Sequence, residues 1–426
     1  MTDFALDLAD PSLWAGGFSD EVFTGLRHRA PVYHQKLTNL VNGQLGREFW
    51  VCTRHAEVTQ VHRDYETFTA TDGPLVQEVG LFAAYPAIVN LDPPDHTKRR
   101  RIIAKAFTPR AITKLEDGIR SRAHLMARSL LDNGGGEFVD LAAGLPISVI
   151  GDIVGIPDDD RPRVFELIAQ VLKLAGAGIA TPEGDNLQPF MALFEYASEL
   201  TARKRANPVD DIWSALCTAE LEDEDGSRFL LPANELEIFF FILSLAGSDT
   251  TRNALCDGIR AFVANPEQAD RYQQDPQSRR TAVEEVLRYS TPIMFWVRGA
   301  TRDIELAGVR ICEGARVVTM LRSANRDEDV FDRPFEFDIT RDPNPHVAFG
   351  GGGAHHCLGA MLARAEIRAA LDELLLTTGD IDVGEPQIQH PNMSSNMTVY
   401  ESLPIVLSPV KRGRSTVHTV SAKERH

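Results

Sequence analysis

The run from Phe349 to Gly359 reads Phe-Gly-Gly-Gly-Gly-Ala-His-His-Cys-Leu-Gly, and it constrains the fold more than any other stretch. Four successive glycines cost backbone entropy and give a core nothing to bury. They mark a loop where backbone must come close to something. Cys357 follows that loop and opens a stretch, Leu358 to Leu375, whose apolar spacing predicts an amphipathic helix. The glycines are expected to bring backbone N–H groups near the sulfur. The helix N-terminus adds roughly half a positive charge beside it. Both effects favour a thiolate, suited to be an axial metal ligand or a nucleophile.

Three other readings compete locally. A buried cysteine commonly serves as a small apolar residue, but the four glycines argue against a core position. A phosphatase-type nucleophile needs His-Cys, five residues, then Arg; Arg364 lies seven places after Cys357, one too many. Zinc needs further Cys or His at short spacing, and only His355 and His356 are near.

With 426 residues the chain has room for one large domain or two to three smaller ones. Its 43% hydrophobic content suffices for a sizeable core. The excess of 61 acidic over 44 basic residues gives a net charge of −17. That argues against a nucleic-acid binder and bears mainly on solubility. The N-terminus has no basic segment followed by an apolar one, so no signal peptide is read. The longest near-apolar run, Ile238 to Gly247, is about half the length that spans a bilayer. No membrane insertion is expected. Five scattered cysteines, Cys52, Cys217, Cys256, Cys312 and Cys357, imply no disulfide framework. A cytoplasmic location fits.

Residues 31–65 read as two short strands, the second at Phe49–Cys52, around a Gly-containing turn, then a short helix. From about 95 to 290 the pattern is helical, broken at Gly134–Gly136, at Gly176 to Asp185 and at Pro208. Residues 291–345 look strand-like, with Val/Ile/Thr alternation punctuated by Pro and Gly. Helix returns after Cys357, and the stretch near Ser402 to Pro409 reads as strand. The expectation is a mainly α fold with a minor β part: one domain over 1–409, without clear internal boundary, and a flexible basic tail over 410–426.

The second strong signal is Ile238-Phe-Phe-Phe-Ile-Leu-Ser-Leu-Ala-Gly-Ser-Asp-Thr-Thr251. A helix apolar all round is buried, yet Ser248 to Thr251 are polar and costly to bury unless hydrogen-bonded. One reading has two helices, the first ending at Gly247 and the next capped by Ser248 or Asp249. The other is a single long central helix opened at Ala246–Gly247 to admit a small ligand, with Asp249 and Thr250 as a proton-relay pair. Apolar spacing resumes at Ala254, Leu255 and Ile259 without a loop, which favours the second. Glu285 and Arg288 share a helix face at i, i+3. His96 and Arg100 share one at i, i+4. Residues 98–110 hold six Lys/Arg, among them Lys98, Arg99 and Lys105, and no acid. That patch is either a solvated face or a docking surface for an acidic partner.

The order and spacing of these motifs resemble one family. From about residue 30 to 408 the chain is similar to the cytochrome P-450 haem-thiolate monooxygenases of the soluble bacterial type. The marks are Asp92-Pro-Pro-Asp-His96, Ala246-Gly-Ser-Asp-Thr-Thr251, Glu285-x-x-Arg288, Ala324-Asn-Arg-Asp327, Arg341 and the cysteine loop. The loop departs slightly: Phe349 lies eight residues before the cysteine rather than seven, which resembles a subset including sterol- and branched-lipid-oxidising enzymes. Glu328 stands where the family usually has Pro.

The resemblance implies a mainly α fold with a long central helix over haem b, and Cys357 as the proximal iron ligand. It implies that His96, Arg100, Arg298 and His355 neutralise the haem propionates, with Phe349, Ala246 and Gly247 also at the cofactor. Glu285, Arg288 and Arg341 would form a structural ion-pair network. Asp249 and Thr250 would deliver protons to dioxygen. The substrate pocket would be lined by Leu81, Phe82, Leu245, Ile293, Met294, Phe295, Trp296, Met397 and Val399. The implied reaction is hydroxylation of a hydrophobic small molecule: a steroid, a terpenoid or another lipid. Electrons would come from NAD(P)H through a ferredoxin reductase and a ferredoxin. The chain is expected to act as a monomer. A peroxide-driven fatty-acid peroxygenase and a non-catalytic haem-thiolate sensor remain the alternatives; the Asp249–Thr250 pair argues against the first.

Overall fold

A helix of 32 residues, Ala233–Ala264, organises the chain. It packs against the helices Phe138–Val154, Gln188–Ala206, Ser278–Ser290 and Ala360–Thr377. The computed structural model describes residues 6–8, 10–36, 40–41, 44–45, 48–76, 87–176, 187–222, 226–391, 393 and 395–408. Leu81, Phe82 and the tail 410–426 lie outside the described residues.

The central helix runs unbroken through Gly247, so the two-helix reading fails. Its polar residues avoid acting as caps by bonding within the helix. Ser244 donates to the Phe240 carbonyl at 2.8 Å, Ser248 to Ser244 at 2.7 Å and Thr250 to Ala246 at 2.8 Å. Such i−4 bonds satisfy a buried hydroxyl without ending the helix. The predicted opening at Ala246–Gly247 is not a break in secondary structure. A Cβ on Gly247 would lie 2.8 Å from Ile150 Cδ1. The glycine therefore lets the helix Phe138–Val154 approach the central helix closely.

The β part is small. A five-stranded sheet runs in the order Val32–Gln35, Phe49–Cys52, Arg316–Met320, Phe295–Ala300, Phe68–Thr69. All its pairings are antiparallel except that of Phe49–Cys52 with Arg316–Met320. A three-stranded sheet joins Asp380–Val383, Pro404–Ser408 and Gly135–Glu137. The Gly134–Gly136 break is thus partly a strand that pairs with the chain's end.

Strand does not extend through 291–345. It stops at Met320, and from Asn325 to Gly359 there is neither helix nor strand. The carbonyls of this stretch are used by guanidinium groups: Arg288 donates to Asn325, Pro334 and Glu336, and Arg341 to Asp332 and Arg333. Acceptors engaged this way need no ladder. Helix resumes at Ala360, two residues later than the spacing suggested, and ends at Thr377. Among the described residues no helix is long and apolar enough to cross a membrane.

Candidate active site

The glycine loop presses on another helix, His55–Arg63, rather than on the sulfur. A Cβ on Gly353 would meet the His62 carbonyl oxygen at 2.4 Å, and one on Gly351 would meet Thr59 Cα at 3.0 Å. Gly350, Gly352 and Gly353 have φ of +92°, +94° and +77°. The loop then turns back: Cys357 N–H donates to the Phe349 carbonyl at 3.0 Å. The Gly359 N–H acts on the Cys357 sulfur and favours its anionic form. Desolvation raises the thiol above its ordinary pKa and the Gly359 N–H, Arg100 and Arg364 oppose the rise, while the cysteine keeps an exposed side. A bound cation is what makes a thiolate at this position favourable. Among the described residues no three His, Cys, Asp or Glu side chains converge as a metal cage.

Beside the loop lies a group of basic side chains. His96 and His355 place their ring centres 4.2 Å apart. Burial lowers His96 to about 4, helped by Arg100. Burial and Arg298 lower His355 to about 3. Arg298 is itself brought down to about 10 by burial, with only Asp92 opposing. His62 is held neutral by burial, Arg298 and His355, and bonds Thr319 at 3.0 Å. Asp92 is occupied by Thr69 and by the Ala70 N–H. His96 Nδ1 and His355 Nε2 are buried without any hydrogen-bond partner. Buried ring nitrogens left unpaired are costly, and the buried Arg298 cation has only Asp92, already engaged, to offset it. The carboxylates of a haem supply negative charge, so these residues fit the group. Arg100 is the exception: its guanidinium donates to the His356 carbonyl.

On the central helix Ala246 is exposed and Thr250 partly so, although most residues on either side are buried. Asp249 does not face Thr250's hydroxyl. It is buried and lies 2.8 Å from Arg252. Burial raises its pKa and Arg252 opposes the rise. Nearby is an acid the spacing arguments passed over. Glu366, on the helix after Cys357, is buried against Thr251, and burial pushes its pKa up to about 8. An acidic residue on the apolar face of that helix was the available signal.

Glu285, Arg288 and Arg341 meet. Arg288 donates twice to Glu285 at 2.8 Å, and Arg341 once at 3.2 Å. The Asp338 N–H and Asn344 complete the Glu285 carboxylate. Glu328, the unusual residue, makes a two-point pair with buried Arg27 at 2.9 and 3.0 Å.

Of the pocket residues, Ile293 and Met397 pair through an isolated bridge. Leu245, Trp296 and Val399 are partly buried. Met294 and Phe295 instead lie wholly inside an apolar cluster with Phe23, Phe49 and Met320. In the basic patch, Arg99 is tied to Glu235 by two bonds of 2.7 and 2.8 Å, whereas Lys105 and Arg101 are exposed.

A sequence model of the cytochrome P-450 family matches residues 178–378. The chain is 36% identical over 395 residues to the steroid C26-monooxygenase of Mycolicibacterium smegmatis, covering 89% of each. It is 36% identical over 385 residues to the methyl-branched lipid omega-hydroxylase of Mycobacterium tuberculosis, covering 88% of this chain and 89% of that one. Its backbone matches a cytochrome P-450 of Mycobacterium marinum solved with pseudoionone at a TM-score of 0.82. That match has 37% identity and covers 91% of this chain and 94% of the other. The chain belongs to the cytochrome P-450 family and is a monooxygenase.

Proposed function

We propose that this monooxygenase hydroxylates an elongated, mostly apolar lipid of the steroid, terpenoid or methyl-branched class, using dioxygen and two electrons from NAD(P)H passed through a ferredoxin. The observation that carries the substrate class is the likeness to relatives named for steroids and methyl-branched lipids. The side chains assigned to the pocket agree with it. Leu245, Ile293, Trp296, Met397 and Val399 are apolar, and no Lys or Arg stands among them to anchor a carboxylate. Burial of such a ligand at about 25 cal/mol per Å² would supply most of its affinity, with one or two hydrogen bonds fixing orientation.

The bound haem would supply dioxygen activation. Cys357 would hold its iron, with its N–H fixed on Phe349 so that the sulfur keeps one position. His96, His355 and Arg298 would take the propionates, and the two unpaired ring nitrogens would gain partners. Thr250 would present its hydroxyl on the exposed side of the central helix. Asp249, whose pKa burial raises, would hold a proton and return it to that side when released from Arg252. Electron delivery would use the exposed cations around Arg101 and Lys105.

An optical titration of the ferric protein against steroids, terpenoids, branched lipids and straight fatty acids tests the substrate class. The expected result is a spin-state change at lowest concentration with one of the first three. A stronger response to short straight fatty acids would overturn it. Turnover with a surrogate ferredoxin separates this reading from a haem-thiolate sensor, which would give none.

A further inference from the structure

We propose, resting on the haem-thiolate reading above, that Glu284 and Arg364 form a charge pair that sets the electron-donating power of the Cys357 sulfur, and through it the reduction potential of the iron. Glu284 precedes the network residue Glu285 but turns to a different partner. Arg364 Nε and Nη2 donate to its two oxygens at 2.8 and 2.7 Å. His346 Nε2 reaches the same carboxylate at 3.0 Å. Its Nδ1 accepts the Ala348 N–H at 3.2 Å, so Nε2 carries the proton. The Arg364 guanidinium carbon sits 4.6 Å over the Phe349 ring. Phe349 in turn accepts the Cys357 N–H through its carbonyl. The pair therefore closes around the residue that positions the ligand.

A stability role accounts poorly for this arrangement. Arg364 and Glu284 are 36% and 29% exposed, and pairs so open to water add little to folding. Their effect on the sulfur is different in kind. A cation held over Phe349, whose carbonyl takes the Cys357 N–H, favours an anionic sulfur, and the Glu284 carboxylate bonded to that cation offsets its field. Charge and hydrogen bonding around a ligating thiolate are the protein's levers on potential. Ferric-to-ferrous reduction adds one negative charge to the site and moves no proton. A nearby cation favours the reduced state and a nearby anion disfavours it.

The test uses the haem-loaded protein without redox partners, in a spectroelectrochemical titration, with the C–O stretch of the ferrous CO complex as second readout. R364Q should lower the potential and the C–O stretch, because the sulfur donates more strongly. E284Q should raise both. R364K, which keeps the charge but loses the two-point bond, should stay near the wild type. Shifts of the two Gln variants in the same direction, or no shift in either, would overturn the pair. Agreement of R364K with R364Q would also overturn it, since geometry rather than charge would then be acting. Absence of the thiolate-type CO band in the wild type would overturn the haem-thiolate reading, and the pair with it.

Discussion

Around Glu285 every acceptor is taken: two bonds from Arg288, one each from Arg341 and Asn344, and one from the Asp338 N–H. On the central helix, Thr250 makes one bond, to a carbonyl of its own helix, and Ala246 one turn earlier is exposed. The first region fixes the irregular stretch that ends in Cys357 and has no ladder to hold it. The second leaves a hydroxyl and a small side chain on an open face of the helix. Polar contacts are dense where position must not change and sparse where a ligand and protons must move. Five substitutions test that contrast.

Arg288→Ala should have the largest effect. Both partners are fully buried, and removing one leaves a buried charge at a cost of about 3–5 kcal/mol. The three carbonyls it holds would lose their donor as well. Denaturant unfolding should show that loss, and the purified protein should contain little haem. A stable, haem-replete Arg288→Ala would break the contrast at its firmest point.

Thr250→Ala removes one bond internal to a helix, so stability should change little. Activity should change much more. General acid–base groups contribute about 100-fold or more, so product formed per NAD(P)H should fall steeply while hydrogen peroxide rises. Unchanged coupling would remove Thr250 from proton delivery and leave the open face without that role.

Glu366 joins the two regions, since it sits on the helix after Cys357 and its carboxyl is influenced by Thr251 on the central helix. The unfolded carboxyl titrates near 4.5 and the folded one near 8. Between those values the folded state binds the extra proton, so stability falls as pH rises through this window. Glu366→Gln abolishes that slope. Relative to wild type it should gain about 1–3 kcal/mol at pH 8.5 and change little near pH 5. Parallel pH dependence in both proteins would show that Glu366 is not held neutral by its burial.

The same contrast explains what could be read from residue order. The central helix and the Glu285–Arg288 pair were legible because helical periodicity is local. The reason for continuity through Ser248 and Thr250 was not, because i−4 back-bonds depend on rotamers. The stretch 325–345 misled, since strand-like composition does not reveal that guanidinium groups from distant positions occupy its carbonyls. The glycines of the cysteine loop were recognised as a close approach, but the partner, the helix His55–Arg63, lies nearly 300 positions away in sequence. Arg99 looked like one cation among several until Glu235 was found beside it.

That last distinction gives the smallest prediction. Lys105 is exposed and Arg99 is paired with Glu235, with side chains 17% and 15% exposed. Lys105→Glu should leave stability within about 0.5 kcal/mol yet weaken ferredoxin-supported turnover by lowering association. The loss should shrink at high salt because the interaction is screened. Peroxide-supported turnover, which needs no partner, should not change. Arg99→Glu should lower both activities through stability, by about 1 kcal/mol, since it replaces an ion pair with two neighbouring acids. Rates in the two assays, measured at low and high salt, separate the residues. If Lys105→Glu loses the same fraction in both assays, this basic segment acts on folding rather than docking.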